Sequence, residues 1–574
     1  MKVGTTAAIA ALVVAALASR AEAGPCVRKD LKTVMVSQAC AKGGQEAAKA
    51  AMKSFMGDKG IKSCNQCHSK LGPNYELKGD GLQQFAKLGG PLLQVKKDPI
   101  AKAPDPKAPD PKTPDPKTPD PRQPDRGGPT QPAGAGFASP MSGDPMLRFE
   151  KYTLANGMEV ILSPDPSVPV VSVNVWYHVG SGHESYGKSG FAHLFEHMMF
   201  QGSKHVGEDK HFDLLKQIGV TEVNGTTNPD RTNYYETVPS NQLAIALWLE
   251  ADRMGRLLPA MTQQKLDTQR DVVKNERRWS VDNQPYGTWW EKLPALTFPS
   301  THPYHHSLIG SMEHLSEASL EDVAEFFATW YTPDNAVLTI AGDFDPAEAR
   351  ALVHQYFSGI PRNPAPPSRP DFSLPPRFER PLREVVEDDV QLPRAIVAMR
   401  IPPSGSDAWY AASVAAAVLG MRKGSRLYRR LVRELQVAAD AGAYTFDLTK
   451  GADLFVVDVT ANANVTPDRL EQAVHDELDA FALDGVTDAE VARALALIET
   501  DFVSSLQSAQ ERADTLSRFA TYFGDAALVN EQPARYQRVT AAEVTAFAKE
   551  WCTDDNRATL LYVPQPSAAV EEAA

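Results

Sequence analysis

Cysteine is scarce in this chain. It has five in 574 residues, and four of them (Cys26, Cys40, Cys64 and Cys67) fall within the first seventy, leaving only Cys552 beyond. That excludes a disulfide framework for most of the polypeptide. An excess of positive charge is also lacking. Lys and Arg number 59 against 72 Asp and Glu, a net charge of −13, and no basic stripe stands out, which argues against a nucleic-acid partner. Past the N-terminus no apolar run approaches the roughly 20 residues that span a bilayer. The run that does exist, Ala7–Ala18, lies between Lys2 and Ala21-Glu22-Ala23. A positive start, a short apolar core and an A-x-A end form the pattern of a secretory signal over residues 1–23. The expectation is an exported, soluble chain, periplasmic or secreted, with no transmembrane segment after cleavage.

At this length several domains are expected. Residues 24–96 read as a small, mainly helical segment, with Gln45–Met56 its clearest helix. It contains Cys64-Asn65-Gln66-Cys67-His68. Two thiols and a His at this spacing suit covalent c-type haem, with Cys64 and Cys67 taking the vinyl groups and His68 the iron. A Cys64–Cys67 disulfide and half of a zinc site are the other readings. No Met or His follows His68 before Met141, so the motif resembles that of a cytochrome c without a matched whole domain. Residues 97–146 form a linker in which Pro-Asp-Pro-Lys units repeat, a composition that extends as a semi-rigid polyproline spacer.

The large region begins near Leu147. Asn156-Gly157 between apolar runs marks a hairpin. The chain then repeats itself: Val323-x-x-Phe326…Trp330-Tyr331-Thr332-Pro333-Asp334-Asn335 returns as Val544-x-x-Phe547…Trp551-Cys552-Thr553-Asp554-Asp555-Asn556, 221 residues later. Each copy leads into a short apolar strand. A repeat this long indicates two homologous domains, not a solenoid. They are placed at 147–372 and 373–574.

The chemistry centres on Gly190-Phe191-Ala192-His193-Leu194-Phe195-Glu196-His197-Met198-Met199. Phe191, Leu194, Phe195 and Met198 recur at helical spacing. His193 and His197 stand four apart, on one helix face, and Glu196 lies on the adjoining edge. Two neutral imidazoles on one face can hold Zn²⁺, and a carboxylate beside them can take a proton from water. A catalytic zinc site needs a third protein ligand. The stretch 266–278 predicts a second helix whose face Leu266, Gln269, Val273 and Glu276 ends in a carboxylate, so Glu276 is the expected third ligand. His178, His183, His302, His305 and His306 lack helical spacing and read as solvated or hydrogen-bonded loop residues.

The H-x-x-E-H order, the interval to Glu276 and its R-D-V-V-x-N-E-R-R surroundings together resemble the M16 family of zinc metallopeptidases (pitrilysin, insulinase and mitochondrial processing peptidase). Asn224-Gly225-Thr226-Thr227 with Asp230-x-Thr232-x-Tyr234, His302-Pro303-Tyr304, Ile309-Gly310 and Trp330-Tyr331 extend the likeness over about residues 147–565. The resemblance implies an α+β fold in which two homologous domains form a clamshell, one zinc per chain, and hydrolysis of peptides or unfolded polypeptides within a chamber. It implies Glu196 as the base, His193, His197 and Glu276 as ligands, and Asn224, Gly225, Thr227 and Arg433 as substrate-binding residues. A homodimer is compatible by resemblance only. Two positions depart from the family pattern: Gln269 stands where a Glu is usual, seven residues before the third ligand, and Asp440 where a Tyr follows Arg433, leaving Tyr444 to substitute. A non-catalytic structural subunit of the family and a haem-binding redox protein are the competing readings. The intact set of His193, Glu196, His197 and Glu276 argues against the first, and a Soret band decides the second.

Overall fold

A computed structural model describes residues 147–565. The first half builds a six-stranded sheet from β1 (Glu150–Thr153), β2 (Glu159–Pro164), β3 (Val170–Tyr177), β4 (Glu222–Thr227), β5 (Thr232–Pro239) and β6 (Ala336–Gly342), in the order β1-β2-β6-β3-β5-β4. The β2–β6 pair is parallel and the others antiparallel. The expected hairpin is β1–β2, turned at Gly157. A side chain there would press within 2.7 Å of Asp334 Cβ, and its φ of +92° suits glycine. Helices of eight residues or more follow in chain order: α1 (Phe191–Met198), α2 (Lys210–Gln217), α3 (Leu243–Arg256), α4 (Gln263–Arg277), α5 (Trp289–Thr297), α6 (Leu320–Trp330) and α7 (Pro346–Phe357).

After an irregular stretch, 358–381, the second half builds β7 (Leu382–Asp388), β8 (Arg394–Ile401), α8 (Asp407–Gly420), β9 (Ala438–Thr445), β10 (Asp453–Ala461), α9 (Pro467–Asp484), α10 (Asp488–Ser505), α11 (Ala509–Phe523), α12 (Ala541–Trp551) and β11 (Arg557–Pro564). Its sheet order is β7-β11-β8-β10-β9. Without β1 the first sheet has the same order, and the single parallel pair, β7–β11, occupies the same place. The sequence repeat is therefore a topological repeat. The helices α6 and α12, 221 residues apart, open on the same capping box, Ser319 with Asp322 and Thr540 with Glu543.

The alternation of β3, VVSVNVWY, explains how both sheet faces are used. Val171, Val173, Val175 and Tyr177 enter the main core with α1 and α3. The opposite face carries Ser172, Asn174 and Trp176, and it too is buried, because α11 from the second half covers it. Leu516, Phe519 and Ala520 pack on Ile161, Trp176 and Val337. Asp514 accepts hydrogen bonds from Asn174 Nδ2 at 3.1 Å, Trp176 Nε1 at 2.8 Å and Asn233 Nδ2 at 3.0 Å. The loan is reciprocal. Trp289 and Leu293 of α5 pack on Ile396, Ala398 and Leu560 of the second sheet. Proline and histidine in residues 280–319 suggest a loop, yet α5 forms there with Pro294 inside it. Apolar burial of its Trp and Leu offsets the lost backbone bond. The segment holding Arg433 reads as a helix; it is a π-helical turn, Tyr428–Glu434. Among the described residues no helix is long and apolar enough to cross a membrane.

Candidate metal centre

Helix α1 starts without a side-chain cap of its own. Gly190 stands before it with φ +87°, and a side chain there would lie 2.7 Å from Ile309 O and 2.8 Å from Gly310 Cα. Only glycine on both strands of chain permits this backbone contact, which is why Gly190 and Gly310 occur together. The cap comes from six residues upstream: Glu184 accepts from Gly190 N at 3.0 Å and Ala192 N at 2.8 Å. The two oxygens satisfy otherwise orphaned donors at the helix N-terminus, while burial pushes the carboxyl well above the usual range against the pull of those N–H groups. Its removal by Glu184→Ala is expected to cost about 1–2 kcal/mol, by the measure of other N-cap losses, and a thermal melt reads it as a lowered Tm.

All of α1 is buried. On α4 the buried residues include Leu266, Gln269, Val273 and Glu276, the face expected from sequence. The two helices bring His193, His197 and Glu276 together. Their exposures are 1, 5 and 4 %. His193 Nε2 lies 3.3 Å from His197 Nε2, and Glu276 Oε2 lies 3.3 Å from His197 Nε2 and 3.8 Å from His193 Nε2. The edge of a tetrahedron with metal–ligand bonds of about 2.0–2.1 Å is about 3.3 Å. Three lone-pair atoms thus converge at the spacing of zinc ligands, while Glu276 Oε1 is left without a hydrogen bond. This donor set fits zinc. Burial pushes His193 down to about 4, so its ring is neutral near pH 7, the form that ligates. Burial acts on His197 in the same direction, but the Glu276 carboxylate overcomes it and holds that ring above its usual value.

Glu196, 1 % exposed, sits beside this triad. Thr227 Oγ1 donates to its Oε2 at 2.5 Å. Burial pushes its carboxyl up to about 7 against the pull of His197 and of the Thr227 hydroxyl. A side chain at Gly225 would stand 3.0 Å from Glu196 Cγ and 3.1 Å from its Oε1, so glycine lets β4 lie against the acid. Of the residues expected to bind substrate, Asn224, Gly225 and Thr227 do share β4, which is the edge strand of its sheet. Thr227, however, spends its hydroxyl on Glu196. That bond joins residues 31 apart, and only the alternation that puts Gly225 and Thr227 on one strand face hints at it. Gln269 is beside His197 and raises its proton affinity, although Oε1 makes no bond of ordinary geometry.

Arg433 stands exposed with its guanidinium 5.4 Å from the Tyr428 ring. No hydrogen bond or ion pair among the described residues joins it to the triad. Tyr444 packs on the cluster that α5 forms with the second sheet, its ring stacked on Phe446. The loop histidines behave as expected: His183 accepts from Gly180 N, His302 meets Phe372 O, His305 meets Phe298 O, and His178 faces Lys450. Cys64, Cys67 and His68 lie outside the described residues.

Comparison with known proteins agrees with this architecture. Residues 159–308 match the family model described as Insulinase (Peptidase family M16), and residues 317–498 match Peptidase M16 inactive domain. The chain is 26% identical to the zinc protease PqqE of Helicobacter pylori over 421 residues, 73% of this chain and 93% of that one. It is 26% identical to a probable β subunit of mitochondrial-processing peptidase from Arabidopsis thaliana, over 70% of this chain and 76% of that one. A crystal structure of a protease from Helicobacter pylori superposes with a TM-score of 0.69 at 26% identity, covering 73% of this chain and all of that one. The periplasmic protease PqqL of Escherichia coli shares the fold at 18% identity and a TM-score of 0.61, over 74% of this chain and 48% of that one.

Proposed function

We propose, for a chain that carries both domains of the M16 peptidase family, that it is an exported zinc-dependent endopeptidase acting on peptides or unfolded polypeptides. The observation that carries the reading is the buried convergence of His193, His197 and Glu276 beside Glu196. The description of an inactive domain falls on 317–498, which lacks an H-x-x-E-H, while the four residues lie within the stretch matched by the peptidase domain. The signal-like pattern of residues 1–23 supports export.

His193, His197 and Glu276 would hold the zinc. A zinc ion there supplies the Lewis acidity that polarises a peptide carbonyl and acidifies water. Glu196 takes the proton of the attacking water and returns it to the leaving amine. The Thr227 hydroxyl holds Glu196 Oε2, so that the carboxylate keeps one orientation through both transfers. An extended peptide adds to the free edge of β4, where main-chain hydrogen bonds bind without strict sequence preference. Incubating the full chain with a pool of unstructured peptides tests this. New termini found by mass spectrometry, lost on chelation and regained with zinc, support it; an unchanged pool with zinc bound refutes it.

Gln269 gives a further expectation. A carboxylate beside a ligating imidazole raises its basicity, and such partners change metal affinity by about 10–100-fold. Gln269→Glu should therefore tighten zinc at least about tenfold, read by competition with a coloured chelator.

A further inference from the structure

Behind the triad, three more side chains of metal-ligating type meet from three different elements. His211 on α2, Glu236 on β5 and Glu250 on α3 are 2, 0 and 0 % exposed, and one ligand atom from each lies within 4.8 Å of the others. Burial alone would not single them out. Their polar atoms do: His211 Nε2 and both oxygens of Glu236 make no hydrogen bond. Glu250 is engaged on one side by Arg253, whose Nε donates to Oε2 at 3.0 Å and whose Nη2 donates to Oε1. The faces of that guanidinium are taken by rings, with Phe200 at 5.1 Å and Tyr234 at 4.4 Å.

A wholly buried carboxylate with neither oxygen bonded is costly, and native proteins avoid it. Arg253 Nη1, also without a bond, draws on the Glu236 charge but does nothing for His211; two further resolutions are available. Burial and the neighbouring Glu250 both push Glu236 well above the usual carboxylate range, so a proton could sit between the two acids. That repairs one oxygen; as placed, His211 Nε2 still makes no bond, and burial and then Arg253 keep the imidazole uncharged. A divalent cation instead takes lone pairs from all three at once. One imidazole with two carboxylates is a donor set that suits zinc. The closed surroundings suit a structural ion, and the two carboxylates offset the Arg253 charge and part of that of the ion.

We propose that His211, Glu236 and Glu250 bind a second zinc ion, which pins α2, α3 and β5 together. The site braces the wall that supports Glu196. The ring of Phe200 lies 5.5 Å from that of His211, and its Cε2 would be 3.0 Å from a side chain at Gly225, the distance at which Glu196 Cγ also stands. The second ion thus sits one ring away from the strand that holds the acid.

The test counts zinc on the full chain in the Glu276→Gln background, which removes the first site and leaves the second. After dialysis against zinc-free buffer, Glu276→Gln should retain one zinc equivalent more than Glu276→Gln/Glu236→Gln. Any zinc held by the Cys64–His68 motif is common to both chains and cancels. Equal zinc in the two chains overturns the proposal. Should the double variant fail to fold, crystals of the wild-type chain measured at the zinc edge give the same decision. An anomalous peak within bonding distance of His211 Nε2 supports the site. A peak at His193 and His197 with none at His211 means a proton or water fills the cluster, and the proposal falls. Because the readout is zinc and not hydrolysis, the result stands apart from the peptidase reading.

Discussion

Glu196→Gln is expected to lower peptide turnover by about 10²–10⁴-fold while the chain keeps its zinc, the range over which a positioned general base contributes. The substitution is isosteric, so the close fit against Gly225 is kept. The amide oxygen can still accept from Thr227 Oγ1, as the carboxylate does at 2.5 Å. What is lost is the capacity to take a proton. The proposed ligands, His193, His197 and Glu276, are untouched, so zinc per chain should stay at the wild-type value. Zinc analysis alongside the rate separates the two effects. Retention of more than about a tenth of the wild-type rate would mean that another group is the base.

Glu276→Gln should abolish activity by the other route, through loss of zinc. A neutral amide oxygen is a far poorer ligand than a carboxylate, and the remaining pair, His193 and His197, is too few for a catalytic site. The variant is expected to fold. The two Nε2 atoms already face each other at 3.3 Å, so one protonated ring can donate to the other once the carboxylate is gone. Its melting temperature in excess chelator should therefore lie close to that of wild type, while zinc affinity falls by at least about 100-fold, on the scale at which even indirect partners change it by 10–100-fold. A variant that keeps wild-type zinc affinity would remove Glu276 from the ligand set.

The candidate metal centre was the most legible part of the chain because its spacing is local. His193 and His197 are one helical turn apart, and Glu276 ends a face that recurs at helical period along α4. The duplication was legible for a similar reason, since α6, α12 and the strands after them repeat at one fixed offset. What could not be read is what the sheets bring together. Glu184 caps α1 through a loop, Thr227 reaches Glu196 from the neighbouring strand, and Asp514 crosses from one half to the other to satisfy three donors. None of these contacts has a periodic signature. The helix α5 was hidden by Pro294, a residue whose local preference loses to the burial of Trp289 and Leu293. His211, Glu236 and Glu250 come from three separate elements, so no spacing announces their meeting.

The most direct measurement is hydrolysis of a mixed pool of unstructured peptides by the full chain and by Glu196→Gln at equal zinc content. New termini in the wild-type digest alone are the predicted result, and their flanking residues would begin to define the cleavage preference. Zinc-loaded wild type that leaves every peptide intact, or a Glu196→Gln chain that cuts as fast, would contradict the account.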